Sequence, residues 1–253
     1  VQVANIDLSD YSKEEGWTPI GNDSSKFTGS FNGNGYKITG LKINRSTDYI
    51  GLFGYTEGAT IKNVALEDIN VTGGNWTGGL VGWANGSTKI SNSYATGSVT
   101  GKGYNTGGLV GWADESSITN SYATGSVTGT GYNTGGLVGE TYESSIENSY
   151  ATGSVKGGFF NTGGLVGQAG KSTIIKNSYA TGAVTGGSST GGLVGDANGS
   201  TKATNSYWDT ETTGQSRSAR GEGKTTDEMK MQKTYEGWDF DKIWQIDEDS
   251  YPT

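Results

Sequence analysis

The chain has 253 residues, 45 of them glycine and 2 proline, with no cysteine and no histidine; its formal net charge is -8. Such an acidic balance excludes nucleic acid and anionic membrane surfaces as partners, because like charges repel. The composition also rules out disulfides and His/Cys metal sites, and no apolar run approaches the roughly 20 residues of a membrane-spanning helix.

Taken in chain order, residues 1–50 predict an N-terminal cap built from short strands near Ile6-Asp7-Leu8, Phe27 to Phe31, Tyr36-Lys37-Ile38 and Leu41-Lys42-Ile43. Turn signals at Gly21-Asn22-Asp23 and Asn32-Gly33-Asn34-Gly35 separate them. No basic and apolar leader precedes Val1-Gln2-Val3, so the expectation is a processed product or a piece of a longer protein.

Residues 51–207 repeat. A Leu-Val-Gly triplet, or Leu-Phe-Gly in the first copy, begins at Leu52, Leu80, Leu109, Leu137, Leu165 and Leu193. Asn-Ser-Tyr begins at Asn92, Asn120, Asn148, Asn177 and Asn205, and successive leucines are 28 or 29 residues apart. A fixed period of this size marks a solenoid, in which one unit cannot bury its apolar face until it stacks on the next. Alternation through Ile90, Asn92 and Tyr94, and through their equivalents, predicts that these three side chains point inward together with Leu80 and Val99. The expected architecture is all-β, a right-handed parallel β-helix with three strands and three corners per turn.

Equivalent residues in such a coil stand about 4.8 Å apart and form ladders. Asn63, Asn92, Asn120, Asn148, Asn177 and Asn205 are therefore predicted to form an inward amide ladder, a structural column in which each side chain pairs with the next. Residues 208–253 leave the period. They predict a Gly/Ser/Arg loop, a short helix capped at Thr225, and an aromatic C-terminal cap from Trp238, Phe240, Ile243, Trp244 and Ile246.

Gly79-Leu80-Val81-Gly82 and its relatives resemble the core of the GLUG-motif repeats of bacterial secreted and cell-surface proteins. The Asn-Ser-Tyr-Ala-Thr-Gly segments, Phe31-Asn32-Gly33-Asn34-Gly35-Tyr36 and Tyr207-Trp208-Asp209 extend the resemblance over essentially the whole chain. It implies an extracellular β-solenoid module, adhesin-like, without implying any particular ligand.

Chemistry-bearing residues are sparse. Glu115 and Glu143 share a register with Lys171, and Glu140 shares one with Gln168 and Asp196. Paired carboxylates one rung apart are the form an acid–base couple would take, and a charged corner on the surface is the structural alternative. Two aromatic columns stand out: Tyr104, Tyr132 and Phe160, with Trp76 offset by one position, and Trp83 with Trp112. Exposed aromatic rows suit a sugar or a protein partner, whereas aromatic rows in a solenoid also stack on one another. A threonine column of Thr72, Thr100, Thr128 and Thr185, interrupted by Lys156, suits water ordering or plain β-pairing.

The expectation is a structural and adhesive extracellular module, located outside the cell or on its surface, with no catalytic residues, metal or cofactor. Its expected partners are a host or matrix glycan or protein, or flanking domains. A carbohydrate-binding module using the aromatic columns is the alternative, followed by a polysaccharide-degrading enzyme or an ice-binding protein.

Overall fold

The structure, a computed structural model, describes all residues from Val1 to Thr253. It is an all-β parallel solenoid of about seven turns with rungs of about 28 residues. The turn has four sides where the repeat suggested three, because four parallel sheets run along the axis. An isoleucine side stacks seven strands from Ser30–Asn32 through Lys89–Ser91 to Lys202–Thr204. A tyrosine side of 13 strands includes Ala65–Gly73, Tyr94–Gly101 and Tyr122–Ala123. A Thr-Gly side of five strands includes Thr106–Gly107, and a valine side of six includes Val110–Asp114. Register is kept from rung to rung, with Ile90 beside Ile118, Tyr122 beside Tyr150 and Val110 beside Val138, except for one shift between Ala95 and Gly97 where Tyr94–Gly101 pairs with Ala65–Gly73.

Leu80, Leu109, Leu137, Leu165 and Leu193 are fully buried, as are Ile118, Ile146 and Ile175 and the valines that follow each leucine. Full burial of one such side chain stabilises by about 1.5–3 kcal/mol. The interior pattern departs from simple alternation at asparagine. Asn92, Asn120, Asn148, Asn177 and Asn205 have φ between +47° and +50°, the left-handed conformation that asparagine tolerates better than other non-glycine residues. That corner shifts the alternation by one residue. Serine and alanine then point inward, as at Ser121 and Ala123, both 1% exposed, while the tyrosine between them points out. Tyrosine and asparagine are therefore not interior residues as the alternation predicted.

The buried serines form a second, unforeseen column. The backbone N–H groups of Ser93, Ser121, Ser149 and Ser178 donate to the hydroxyls of Ser121, Ser149, Ser178 and Ser206, each over 3.2 Å. Each of those hydroxyls donates to the carbonyl two residues earlier, over 2.7–2.8 Å. Opposite the alanines stand the Gly-Gly corners. A Cβ on Gly136 would lie 2.1 Å from the Gly164 carbonyl oxygen and 2.8 Å from Ala151 Cβ, so the coil closes there only without a side chain.

Both ends are covered. Residues 30–44 already pair in register with the first rungs, and Trp17, Ile20, Phe27 and Phe31 pack against the core at that end. Arg45 ties this segment down through Glu15, Gly16, Trp17 and Thr18. At the other end Trp208 takes the register position of Ala180, and its ring fills the space beside Gly192. The loop from Gly214 to Gly221 crosses the open rung, where the Ser218 hydroxyl accepts from the N–H groups of Leu193 and Val194. The expected short helix is Thr226–Met229, with Thr225 and Glu228 forming a capping box.

Candidate functional site

The outward residues fall into four groups. Tyr104, Tyr132 and Phe160 sit in the turns that leave the tyrosine side, with ring centroids 4.8 and 5.0 Å apart and planes within 15° of parallel. They are 50%, 43% and 44% exposed, and neighbouring Phe159 is 69% exposed. The turns are held by an amide ladder that the reading of the repeats overlooked: Asn133 Nδ2 donates to Asn105 Oδ1 and Asn161 Nδ2 to Asn133 Oδ1, both over 2.8 Å. Its signal was present, since Tyr104-Asn105-Thr106-Gly107-Gly108 recurs from Tyr132 and, with phenylalanine first, from Phe160.

Trp83 and Trp112 stack at 4.3 Å in a separate, half-buried cluster. Trp76 belongs to this cluster, 5.3 Å from Trp83, and not to the Tyr104 column as its offset suggested. Tyr49 and Tyr55 complete it. Glu140, Gln168 and Asp196 share one register, as the spacing predicted, and the structure adds Trp112 to the same column before Glu140. Burial pushes the Glu140 carboxyl up, against a hydrogen bond of 3.0 Å from Asn133 Nδ2.

The acidic corner is an ion pair. Glu143 Oε1 lies 2.5 Å from Lys171 Nζ, which also stands 5.5 Å from the centre of the Tyr142 ring. Asp114, beside it, is raised by burial and then by the charges of Glu115 and Glu143. No group of three or more His, Cys, Asp or Glu side chains is placed to hold a metal ion. Thr72, Thr100, Thr128, Lys156 and Thr185 occupy one column in the expected order.

The fourth group is the outer face of the tyrosine side. Tyr94, Tyr122, Tyr150 and Tyr179 stack at 4.7, 4.7 and 5.1 Å. Beside them runs the asparagine ladder, at the corner and not in the interior. Asn63 bonds Asn32, and Asn92, Asn120, Asn148 and Asn177 each bond the previous asparagine, over 2.9–3.2 Å. Asn205 does not join the ladder: the Asn177 Oδ1 atom is buried without a partner, and the Asn205 backbone carbonyl separately accepts from Trp238 Nε1.

The C-terminal segment folds back over part of this face. Trp238 and Trp244 are buried against Tyr179 and Tyr207, with Phe240 and Ile246 half-buried around them, whereas Ile243 is 41% exposed. The Tyr179 hydroxyl donates to the Pro252 carbonyl, and the Tyr251 hydroxyl donates to the buried Asp209 carboxylate over 2.7 Å. Burial raises the Asp209 carboxyl, and that effect is outweighed by hydrogen bonds from Tyr251 and the backbone of Thr212 and Glu211, leaving it below its ordinary value. Desolvation and the same bond push the Tyr251 phenol up to about 12.

Fold and surface together define a capped parallel β-solenoid whose outer faces are ladders of stacked aromatics and amides. Four tandem stretches, residues 73–100, 102–128, 130–156 and 160–185, match the GLUG motif. The chain is 40% identical over 109 residues to halomucin of Haloquadratum walsbyi, covering 39% of this chain. It is 45% identical over 74 residues, or 28% of the chain, to a protein provisionally described as a Gly-rich membrane protein of Evansella cellulosilytica. It spans only 1% and 9% of the length of these relatives. A crystal structure provisionally described as an immunoglobulin A1 protease of Bacteroides ovatus shares the fold, with a TM-score of 0.75 and 24% identity over 98% of this chain and 83% of that one. A second structure, described as an IgA1 protease, matches at a TM-score of 0.61 and 23% identity, over 88% of this chain and 18% of that one. At these identities the likeness is one of fold. No helix is long and apolar enough to cross a membrane.

Proposed function

We propose that this chain is a rigid extracellular adhesion module, a short β-helical body within a longer surface or secreted protein. The observation that carries this reading is the contiguous strip of Tyr104, Tyr132, Phe160 and Phe159, each 43–69% exposed, on a rod of net charge -8. Contiguous exposed apolar surface of this kind marks an interaction site. The Trp83 and Trp112 cluster is half-buried, so it supports the rung and offers less to a partner.

The ring geometry favours one partner class over another. Because the rings of Tyr104, Tyr132 and Phe160 lie face to face, their flat faces are largely taken by one another and the strip presents edges. Edges suit the apolar surface of a matrix or host protein; a row of stacked sugars needs free faces. The peptidase descriptions of the structural neighbours remain theirs. In this chain the ion pair with Lys171 occupies Glu143, which favours a non-catalytic surface.

The reading is tested by retention of the immobilised chain on a panel of extracellular matrix proteins, compared with a Tyr132→Ser/Phe160→Ser double variant whose β-sheet content is verified by circular dichroism. Binding that survives in the double variant would remove the strip as the contact.

A further inference from the structure

The asparagine and tyrosine ladders run side by side, two residues apart in every rung, and the space between them is hollow. Near one end a cavity of 210 Å³ is lined by Lys37, Asn63, Asn92 and Tyr94, among others. Further along, a half-open recess of 170 Å³ lies between Asn120, Asn148, Tyr122 and Tyr150, and Ile243 and Trp244 of the folded-back segment border it. The same two columns thus wall both cavities and form a trough parallel to the axis.

Its walls carry unused hydrogen-bonding groups at a regular interval. Each asparagine Nδ2 bears two N–H groups, and the ladder uses one of them. The Tyr94 hydroxyl is bound to Glu67 and that of Tyr179 to Pro252, whereas the hydroxyls of Tyr122 and Tyr150 make no bond within the chain. Trp244 is 4% exposed, and its indole N–H has no partner.

We infer that this trough binds a neutral, linear, β-linked polysaccharide lying along the axis, with Asn120, Asn148, Tyr122 and Tyr150 contacting its hydroxyls. Three features select that class. Tyrosine rings 4.7 Å apart repeat at close to the length of one extended sugar unit, whereas an extended peptide advances about 3.3 Å per residue and falls out of step within two rungs. Alternating N–H and O–H groups complement hydroxyls, which both donate and accept. A net charge of -8 disfavours acidic polymers. The site lies on a different face from the Tyr132 strip and does not depend on it.

The test is affinity electrophoresis of the purified chain through gels containing soluble neutral β-glucan, xylan or mannan, with calorimetric titration of the matching hexa- and disaccharides. Tyr122→Phe/Tyr150→Phe keeps the ring stack and removes only the two hydroxyls. The expected result is retardation by at least one polymer, preference for the hexasaccharide, and affinity weakened about tenfold in the double variant, equivalent to about 1.4 kcal/mol. Tyr132→Ser should leave this binding unchanged. Absence of binding to all three polymers, equal affinity in the Tyr122→Phe/Tyr150→Phe variant, or loss confined to Tyr132→Ser would each overturn the assignment; the last would return glycan binding to the aromatic strip.

Discussion

Replacing Ser149 by alanine tests the interior most directly. Its hydroxyl accepts from the Ser121 N–H over 3.2 Å and donates to the Glu147 carbonyl over 2.8 Å, and the residue is fully buried. The Glu147 carbonyl keeps a second donor, the Asn120 N–H at 3.1 Å, so little is lost there. The Ser121 N–H has no other acceptor and would be stranded away from water, which costs about 1–3 kcal/mol. Loss of one oxygen also leaves a small void, although alanine introduces no clash. The expected outcome is a urea midpoint lowered by an amount equivalent to about 2 kcal/mol, within the range for a stranded buried donor, and faster amide exchange at Ser121 than at Ser93. The comparison with Ser93 matters because its own acceptor, Ser121 Oγ, is untouched. A Ser149→Ala protein with unchanged midpoint and unchanged exchange at Ser121 would refute the serine relay as a source of stability.

Three further outcomes follow from the geometry. Asn148→Ala should destabilise more than Asn148→Gly, because both lose the ladder bond while only alanine pays about 1–2 kcal/mol for the left-handed corner at φ +50°; thermal melts of the pair separate the two effects. Glu140→Gln should raise stability at neutral pH, since burial holds that carboxyl above its ordinary value and its contribution is therefore greatest below the unfolded pKa and lost as pH rises; denaturation at pH 4 and pH 8 measures the difference, and Gln168 shows that the column accepts the amide. The cap should loosen at both pH extremes: Asp209, held low, stabilises above its ordinary pKa of 3.8 and less as pH falls through its folded value, while Tyr251 stabilises below pH 10 and loses that contribution as pH rises towards about 12. Fluorescence of Trp238 and Trp244 followed across pH would report both transitions, and a signal flat from pH 2 to pH 12 would contradict them.

The period of 28 or 29 residues, the ladders it implies and the glycine corners were legible in the sequence, because a repeat written in residues becomes a column in space with no further information needed. Leucine, isoleucine and valine were correctly placed inside for the same reason: each is apolar and each recurs at one register. The order of the Thr72 column and of Glu140, Gln168 and Asp196 followed likewise.

What required the tertiary structure was the side each polar column faces. Alternation assumes an extended backbone, and a single asparagine at positive φ resets it, turning Tyr94 and its equivalents outward and the serines inward. The fourth side of the coil was hidden because a strand of two residues such as Thr106–Gly107 leaves no alternation to read. Trp76 joined Trp83 through contacts between neighbouring rungs, and the ladder stopped at Asn177, where the last rung meets the folded-back segment, neither of which a local pattern encodes. The sequence by itself determined the repeat and its apolar interior, since those depend on periodicity; the grooves, exposed strips and covered faces were decided only where the folded chain met itself.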